Sequence, residues 1–312
     1  MMRKFTKRVL GFSLPLLTAS VVLELLLRSI PNDYSNKQAY LENNSDKIET
    51  LILGSSHSLY GLDPVYFSSQ TYNASQVSQP LDFDLQILKK YENNLKNLKT
   101  VILPISYFTL FFNLETSLES WRIKNYMIYY DLNSSKSMSD YFELSSNKLN
   151  VSLKKLVSFY MNDDKTTFCS ELGWGTSYKS KNSLNLTKVG PISAERHMIL
   201  GKDSTLIADV FEKNIVVLNS LLEWSKQRDV KVLLLTPPAY SSYYDNLGAE
   251  QLLITINKTK EICSEYDHCN YDNMLKDSIF VASDYYDGDH LSEIGAKKLS
   301  LIINAQIKDL GQ

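Results

Sequence analysis

The stretch Glu49-Thr-Leu-Ile-Leu-Gly54-Ser-Ser-His57 decides the fold. A short β-branched and aliphatic run that stops at a glycine turn has the pattern of a strand buried on both faces. Three more such runs follow, at 70–74, 100–103 and 230–235, the last halted by Thr236-Pro237-Pro238. Helical periodicity fills 82–97, 205–228, 247–266 and 291–309. Strands alternating with helices of this length predict an α/β fold with a mostly parallel sheet. In such sheets ligands sit beyond the carboxyl ends of the strands. Gly54-Ser-Ser-His57 falls at one of those ends.

The alternation breaks between 107 and 203. That segment carries Phe108, Phe111, Phe112, Trp121, Tyr126, Tyr129 and Tyr130, then a Ser-, Asn- and Lys-rich stretch around Trp174. It reads as an insertion, either a lid or substrate platform over the strand ends or a plain helical elaboration of the core.

Two segments carry candidate chemistry. A serine lifted out of a buried strand at a glycine-permitted turn stands at the sheet's edge, where its own N–H can help hold an oxyanion. Ser55 and Ser56 would otherwise serve as ordinary helix caps. The second segment is Asp284-Tyr-Tyr-Asp287-Gly-Asp289-His290-Leu-Ser-Glu-Ile-Gly295. A carboxylate three residues before a histidine can fix the imidazole tautomer and stabilise the imidazolium formed when it takes a serine's proton. Asp287 fills that role here, with the adjacent Asp289 a competitor.

Together the two segments resemble the SGNH (GDSL-type) hydrolase superfamily, and within it the membrane-anchored members of bacterial envelope and polysaccharide pathways. Leu53-Gly-Ser-Ser-His57 stands where the first block carries the nucleophile, which maps onto Ser56. Asp287-Gly-Asp-His290-Leu-Ser stands where the last block, Asp-x-x-His, carries the remaining triad members. The resemblance spans residues 48 to 308 in block order. It implies a three-layer α/β/α, flavodoxin-like sheet and a catalytic triad of Ser56, Asp287 and His290.

Two blocks depart from the pattern. Asn73-Ala-Ser-Gln-Val-Ser78 puts Ser78 where the second block has a glycine, and Leu103-Pro-Ile-Ser106-Tyr107 replaces Gly-x-Asn-Asp. Ser78 and Ser106 are therefore the candidate oxyanion donors, and His57 is either a further one or a surface histidine at a helix start. Loss of one such donor costs on the order of 3 kcal/mol of transition-state stabilisation.

The resemblance implies ester hydrolysis or O-acyl transfer, with O-acetyl groups on an exported polysaccharide as the substrate class. A membrane partner that hands over the acyl group fits the same pathways. The competing expectation is a non-catalytic scaffold or glycan-binding component of a polysaccharide modification or export complex.

The first 28 residues give a location. Arg3, Lys4, Lys7 and Arg8 precede an apolar run over 9–27, which at about 1.5 Å per residue nearly crosses a hydrocarbon core of about 30 Å. The positive flank predicts a cytoplasmic start and an extracytoplasmic domain. A signal peptide cut near Thr18-Ala-Ser20 is the alternative, but it would leave an apolar run at the new terminus. Residues 29–47 read as a polar tether, and 48–312 as the catalytic domain.

The 312-residue chain has a formal charge of −2 with cations spread along it, so no basic stripe exists for nucleic acid. It carries no Gly-rich phosphate loop, nucleotide fingerprint or second Cys/His pair to complete a zinc site, so neither cofactor nor metal is expected. Cys263 and Cys269 either close a short disulfide or remain two buried thiols, leaving Cys169 free.

Overall fold

The computed structural model describes every residue except 1, 133, 134, 136, 202, 203, 311 and 312. The outermost ends of the expected anchor, insertion and catalytic domain lie outside the described residues. In chain order the helices are α1 Met2–Arg28, α2 Asp33–Asn44, α3 Ser56–Gly61, α4 Leu81–Tyr91, α5 Ile123–Tyr129 and α6 Leu149–Asn162. They continue with α7 Leu186–His197, α8 Ser204–Lys226, α9 Ser241–Tyr244, α10 Ala249–Ser264 and α11 Glu293–Leu310. The strands are β1 Thr50–Ile52, β2 Thr71–Asn73, β3 Thr100–Pro104, β4 Lys231–Thr236 and β5 Cys269–Asn273.

The chain divides into two compact units. One comprises 39–117 and 169–312, the other 1–38 and 118–168. The first holds a five-stranded sheet in the order β2-β1-β3-β4-β5, with every neighbouring pair parallel. The α/β class and parallel sheet follow as the strand–helix alternation predicts.

Strand side chains alternate between the two faces. Ile52, Ile102, Leu233 and Leu235 cluster with Leu291 and with Leu299 and Ile303 of α11. Their neighbours Leu51, Val101, Val232 and Leu234 point the other way, and each is also 0% exposed. Both faces are therefore covered, which makes the architecture three layers. α3 packs on α11, while α4 packs on α8. Each fully buried Leu or Ile contributes roughly 1.5–3 kcal/mol.

β5 has no apolar run to announce it. It is an edge strand paired only with β4, and most of its residues are half-exposed. A disulfide between Cys263 in α10 and Cys269 at its first position fastens it.

The second unit gathers α1, the first half of α2, α5 and α6. The expected tether is thus largely helical. Asn32 starts α2: its Oδ1 accepts from the N–H groups of Tyr34 and Ser35, both at 3.0 Å, which is an N-cap arrangement. The expected insertion is split. Its central part, 118–168, belongs to the unit containing α1, while 107–117 and 169–203 belong to the sheet unit.

α1 is long and apolar enough to cross a membrane, and its most apolar window is unburied. At the heart of the same unit Glu143, 1% exposed, binds Lys124 at 2.7 Å and Lys155 at 3.4 Å, and accepts from Tyr129 at 2.7 Å. Burial would raise its carboxyl pKa, but the two lysines outweigh that and hold it low. Burial lowers the Lys124 pKa in spite of Glu143.

Candidate active site

At the carboxyl end of β1 the chain turns through Gly54, whose φ is +100°. A Cβ there would sit 2.7 Å from Ser58 Oγ, so both the backbone conformation and the space call for glycine. Two bonds pin the turn. Gly54 N donates to Asp84 Oδ1 at 2.8 Å, and Gln76 N donates to Gly54 O at 3.2 Å. Ser55 remains extended and Ser56 opens α3. Fully buried Asn73 braces that helix by donating to the carbonyls of Ser58 and Leu62 at 2.9 and 2.8 Å.

The second half of the site is the loop 285–291. A bridge between Tyr285 and Leu291 closes it, and Tyr286 N donates to His290 O at 3.0 Å. A Cβ on Gly288 would lie 2.5 Å from Gly190 Cα, so only glycine lets this loop rest against α7. Within the loop Asp287 Oδ1 accepts from the N–H groups of Asp289 and His290 at 3.1 and 2.8 Å.

The two halves meet. Ser56 Oγ lies 2.8 Å from His290 Nε2, and His290 Nδ1 lies 3.0 and 3.1 Å from the two Asp287 oxygens. The three residues named from sequence thus form one hydrogen-bonded string, with 234 positions separating its serine from its histidine.

A second string, which sequence reasoning did not assemble, lies beside the first. Ser106 Oγ is 2.7 Å from His57 Nδ1, and His57 Nε2 is 3.3 Å from Asp289 Oδ2. The His57 and His290 rings stack with centroids 4.8 Å apart. Asp289 is the hub. The same oxygen lies 3.5 Å from His290 Nδ1 and 3.7 Å from His197 Nδ1, and the side chain is 0% exposed. Three of the chain's four histidines therefore converge on one carboxylate. Asp289 turns inward together with Asp287 because the loop curls around His290, bringing neighbouring side chains to the same ring. The sequence marked Asp289 as a competitor of Asp287, and Ser106 and His57 as oxyanion donors, but nothing in it paired the three.

The oxyanion candidates fare differently. Ser78 adopts φ +57°, the left-handed conformation that a glycine at that position would take readily. Ser106 gives its N–H to Thr109 Oγ1 at 2.9 Å and directs its hydroxyl at His57. Both ring nitrogens of His57 have partners, so neither is a free donor.

The charges follow from burial and proximity. Burial lowers the His57 pKa despite its bond to Asp289, leaving a neutral ring at pH 7. That ring places its proton on Nε2, facing the carboxylate, and its bare Nδ1 accepts the Ser106 hydroxyl. Burial pushes His197 down to about 3. Burial alone would lower His290 too, but Asp289 and then Asp287 outweigh it and raise it to about 9. Asp289 is held well below the carboxylate range: the histidines, His290 foremost, overcome its burial.

His57, Asp289 and His290 offer donor atoms within 4.8 Å of one another, a set of the kind that can bind a divalent cation. Each of the three is already engaged in the two strings. Beside His290, the rings of Tyr60, Tyr178 and Tyr286 form a stack with centroid spacings of 3.7 and 4.0 Å. Tyr178 and Tyr60 turn their rings edgewise to the imidazole at 5.3 and 6.0 Å.

No protein-family model and no curated protein matches the chain. Among solved structures it resembles a Streptococcus pneumonia protein described provisionally as a platelet activating factor. The two share 11% identity at a TM-score of 0.42, over 96% of this chain and 98% of the other. It also resembles a Bacteroides fragilis protein described provisionally as an acylhydrolase, at 12% identity and a TM-score of 0.42, over 90% of this chain and 100% of the other.

Proposed function

We propose that the chain is a serine-dependent ester hydrolase or O-acyltransferase of the SGNH type that works through an acyl-enzyme on Ser56. The observation that carries this reading is the string Ser56 Oγ–His290–Asp287 at 2.8 and 3.0 Å. Neutral His290 takes the Ser56 proton on Nε2 as Oγ attacks an ester carbonyl, and Asp287 holds Nδ1–H and stabilises the resulting imidazolium. The imidazolium then protonates the leaving alcohol. Water or a sugar hydroxyl, deprotonated by His290, next attacks the acyl-enzyme and frees Ser56. The Ser56 N–H and the backbone N–H of Ser78 are the donors assigned to the oxyanion.

The substrate class we propose is an acylated extracytoplasmic glycan. The tyrosine stack of Tyr60, Tyr178 and Tyr286 beside His290 supplies the amphipathic aromatic surface that sugar rings favour. α1 serves as the membrane anchor, and the cations at 3–8 keep its start in the cytoplasm.

The charge balance around His290 favours a second reading. A histidine raised to about 9 is mostly protonated at neutral pH and cannot then act as a base. A glycan-binding scaffold of a polysaccharide modification complex would tolerate that charge. Turnover of p-nitrophenyl acetate between pH 7 and 10 separates the two. The enzyme reading expects activity that climbs with pH and is absent in His290→Ala. A flat trace equal to that of the variant favours the scaffold.

A further inference from the structure

Helix α6 turns an apolar stripe outward. A surface helix ordinarily turns its apolar stripe inward and its charges outward. The inward face of α6 carries buried Ser152 with the half-buried Lys155, Leu156 and Phe159, and Lys155 reaches the buried Glu143. Leu149, Leu153, Val157, Tyr160 and Met161 fall at i, i+4, i+8, i+11 and i+12, which places them on one side of the helix, shared with exposed Asn150. That stripe is 44–78% exposed. Lys154 is exposed alongside it, and Lys148 is exposed just ahead of the helix.

The position of α6 against α1 says what meets this stripe. Just ahead of α6, the N–H groups of Glu143 and Leu144 donate to the Glu24 carboxylate at 3.0 and 2.9 Å. Near its other end the Tyr160 hydroxyl pairs with Ser29 Oγ at 2.7 Å and donates to Leu26 O at 3.2 Å. Glu143, held by Lys155 from the middle of α6, and Tyr160 near its end thus both meet the chain between Glu24 and Ser29. α6 is held at the end of α1, at the level where the apolar run finishes and Arg28 begins.

We infer that α6 is an interfacial helix that lays Leu149, Leu153, Val157, Tyr160 and Met161 into the headgroup–acyl boundary of the outer leaflet. The inference rests on the proposal that α1 spans the membrane. A bilayer crossed by α1 ends at Leu27, where α6 is held, and the stripe offers it apolar side chains with a tyrosine at the headgroup level. Lys154, beside the stripe, then meets anionic lipid phosphates. The ion cluster of Glu143 with Lys124 and Lys155 keeps the Lys155 side turned inward, and thereby the apolar stripe outward.

The test uses the full chain carrying Cys169→Ser, with Leu153→Cys, Val157→Cys, Val151→Cys or Val21→Cys added singly and spin-labelled. The proteins are reconstituted in vesicles of phosphatidylcholine and phosphatidylglycerol. Collision with oxygen, which partitions into lipid, is compared with collision with a water-soluble nickel chelate. The expected result is an oxygen-to-nickel ratio several-fold higher at 153 and 157 than at 151, which lies off the stripe on the same helix. Nickel access at 153 and 157 equal to that at 151, with Val21→Cys shielded, overturns the inference and leaves the anchor standing. Labels at 153 and 157 shielded from both reagents overturn it in favour of a protein partner. Nickel access at Val21→Cys removes the anchor itself.

Discussion

Asp289→Asn should move the pH dependence of catalysis toward acid without abolishing it. Asp289 is first among the charges that raise His290 to about 9 from an ordinary 6.5, a difference of roughly 3 kcal/mol in favour of the imidazolium. With that value about one molecule in a hundred holds His290 neutral at pH 7. The wild-type kcat/KM should therefore climb close to tenfold per pH unit and level off near pH 9. Asparagine keeps an oxygen for His57 but removes the charge, so His290 falls toward its ordinary value. Each unit of that fall yields about ten times more free base at pH 7, while a weaker base lowers the plateau by only a few-fold. The two profiles should cross: the variant faster near neutrality, the wild type faster above pH 9.

The assay is initial-rate hydrolysis of p-nitrophenyl acetate from pH 6 to 10. A uniform loss of rate with an unmoved limb would refute the assignment of Asp289 as the residue that sets the His290 charge. Stability gives a second readout. A folded-state pKa raised above the unfolded 6.5 stabilises fully below that value, and the gain is lost as pH rises through about 9. The loss in melting temperature across that window should shrink in Asp289→Asn.

Three further outcomes follow from the same geometry. Asp287→Asn removes the partner that holds the Nδ1 proton of His290, and should lower kcat by up to about 10⁴ with folding intact by circular dichroism; a small loss would pass the orienting role to Asp289. Gly54→Ala forces a side chain into φ +100° and against Ser58 Oγ, and should destabilise by about 1–3 kcal/mol in urea titration. Asp84, raised to about 8 by burial, binds its proton in the fold well above its unfolded 3.8, so its contribution to stability falls as pH rises from 3.8 through 8. Asp84→Asn keeps an acceptor for Gly54 N and Gln79 Nε2, and should melt higher than wild type at pH 8 with little difference at pH 4.

The sheet was legible where burial on both faces left an unbroken apolar run, as at β1, β3 and β4. β5 escaped because Cys-Asn-Tyr-Asp-Asn has neither a run nor an alternation, and a neighbouring strand with a disulfide holds it instead. α2 escaped because its asparagines read as a tether, although Pro31-Asn32 is a cap signal placed just ahead of the helix. Ser56, Asp287 and His290 stood out because local motifs marked both ends of the string. His57 and Ser106 were marked only as oxyanion donors, not as partners, since their meeting depends on the side-by-side placement of β1 and β3 and on a contact to Asp289 across 232 positions. Pairing of histidine rings leaves no periodic trace in a sequence.

The most direct test of the account is covalent. The full chain and its Ser56→Ala variant, both at pH 9, are treated with a serine-reactive fluorophosphonate and digested for mass spectrometry. The account predicts one adduct on the peptide containing Ser56, formed faster as pH rises, and none there in the variant. A folded wild type that stays unlabelled at Ser56, or a variant that labels as fast as the wild type, would contradict it.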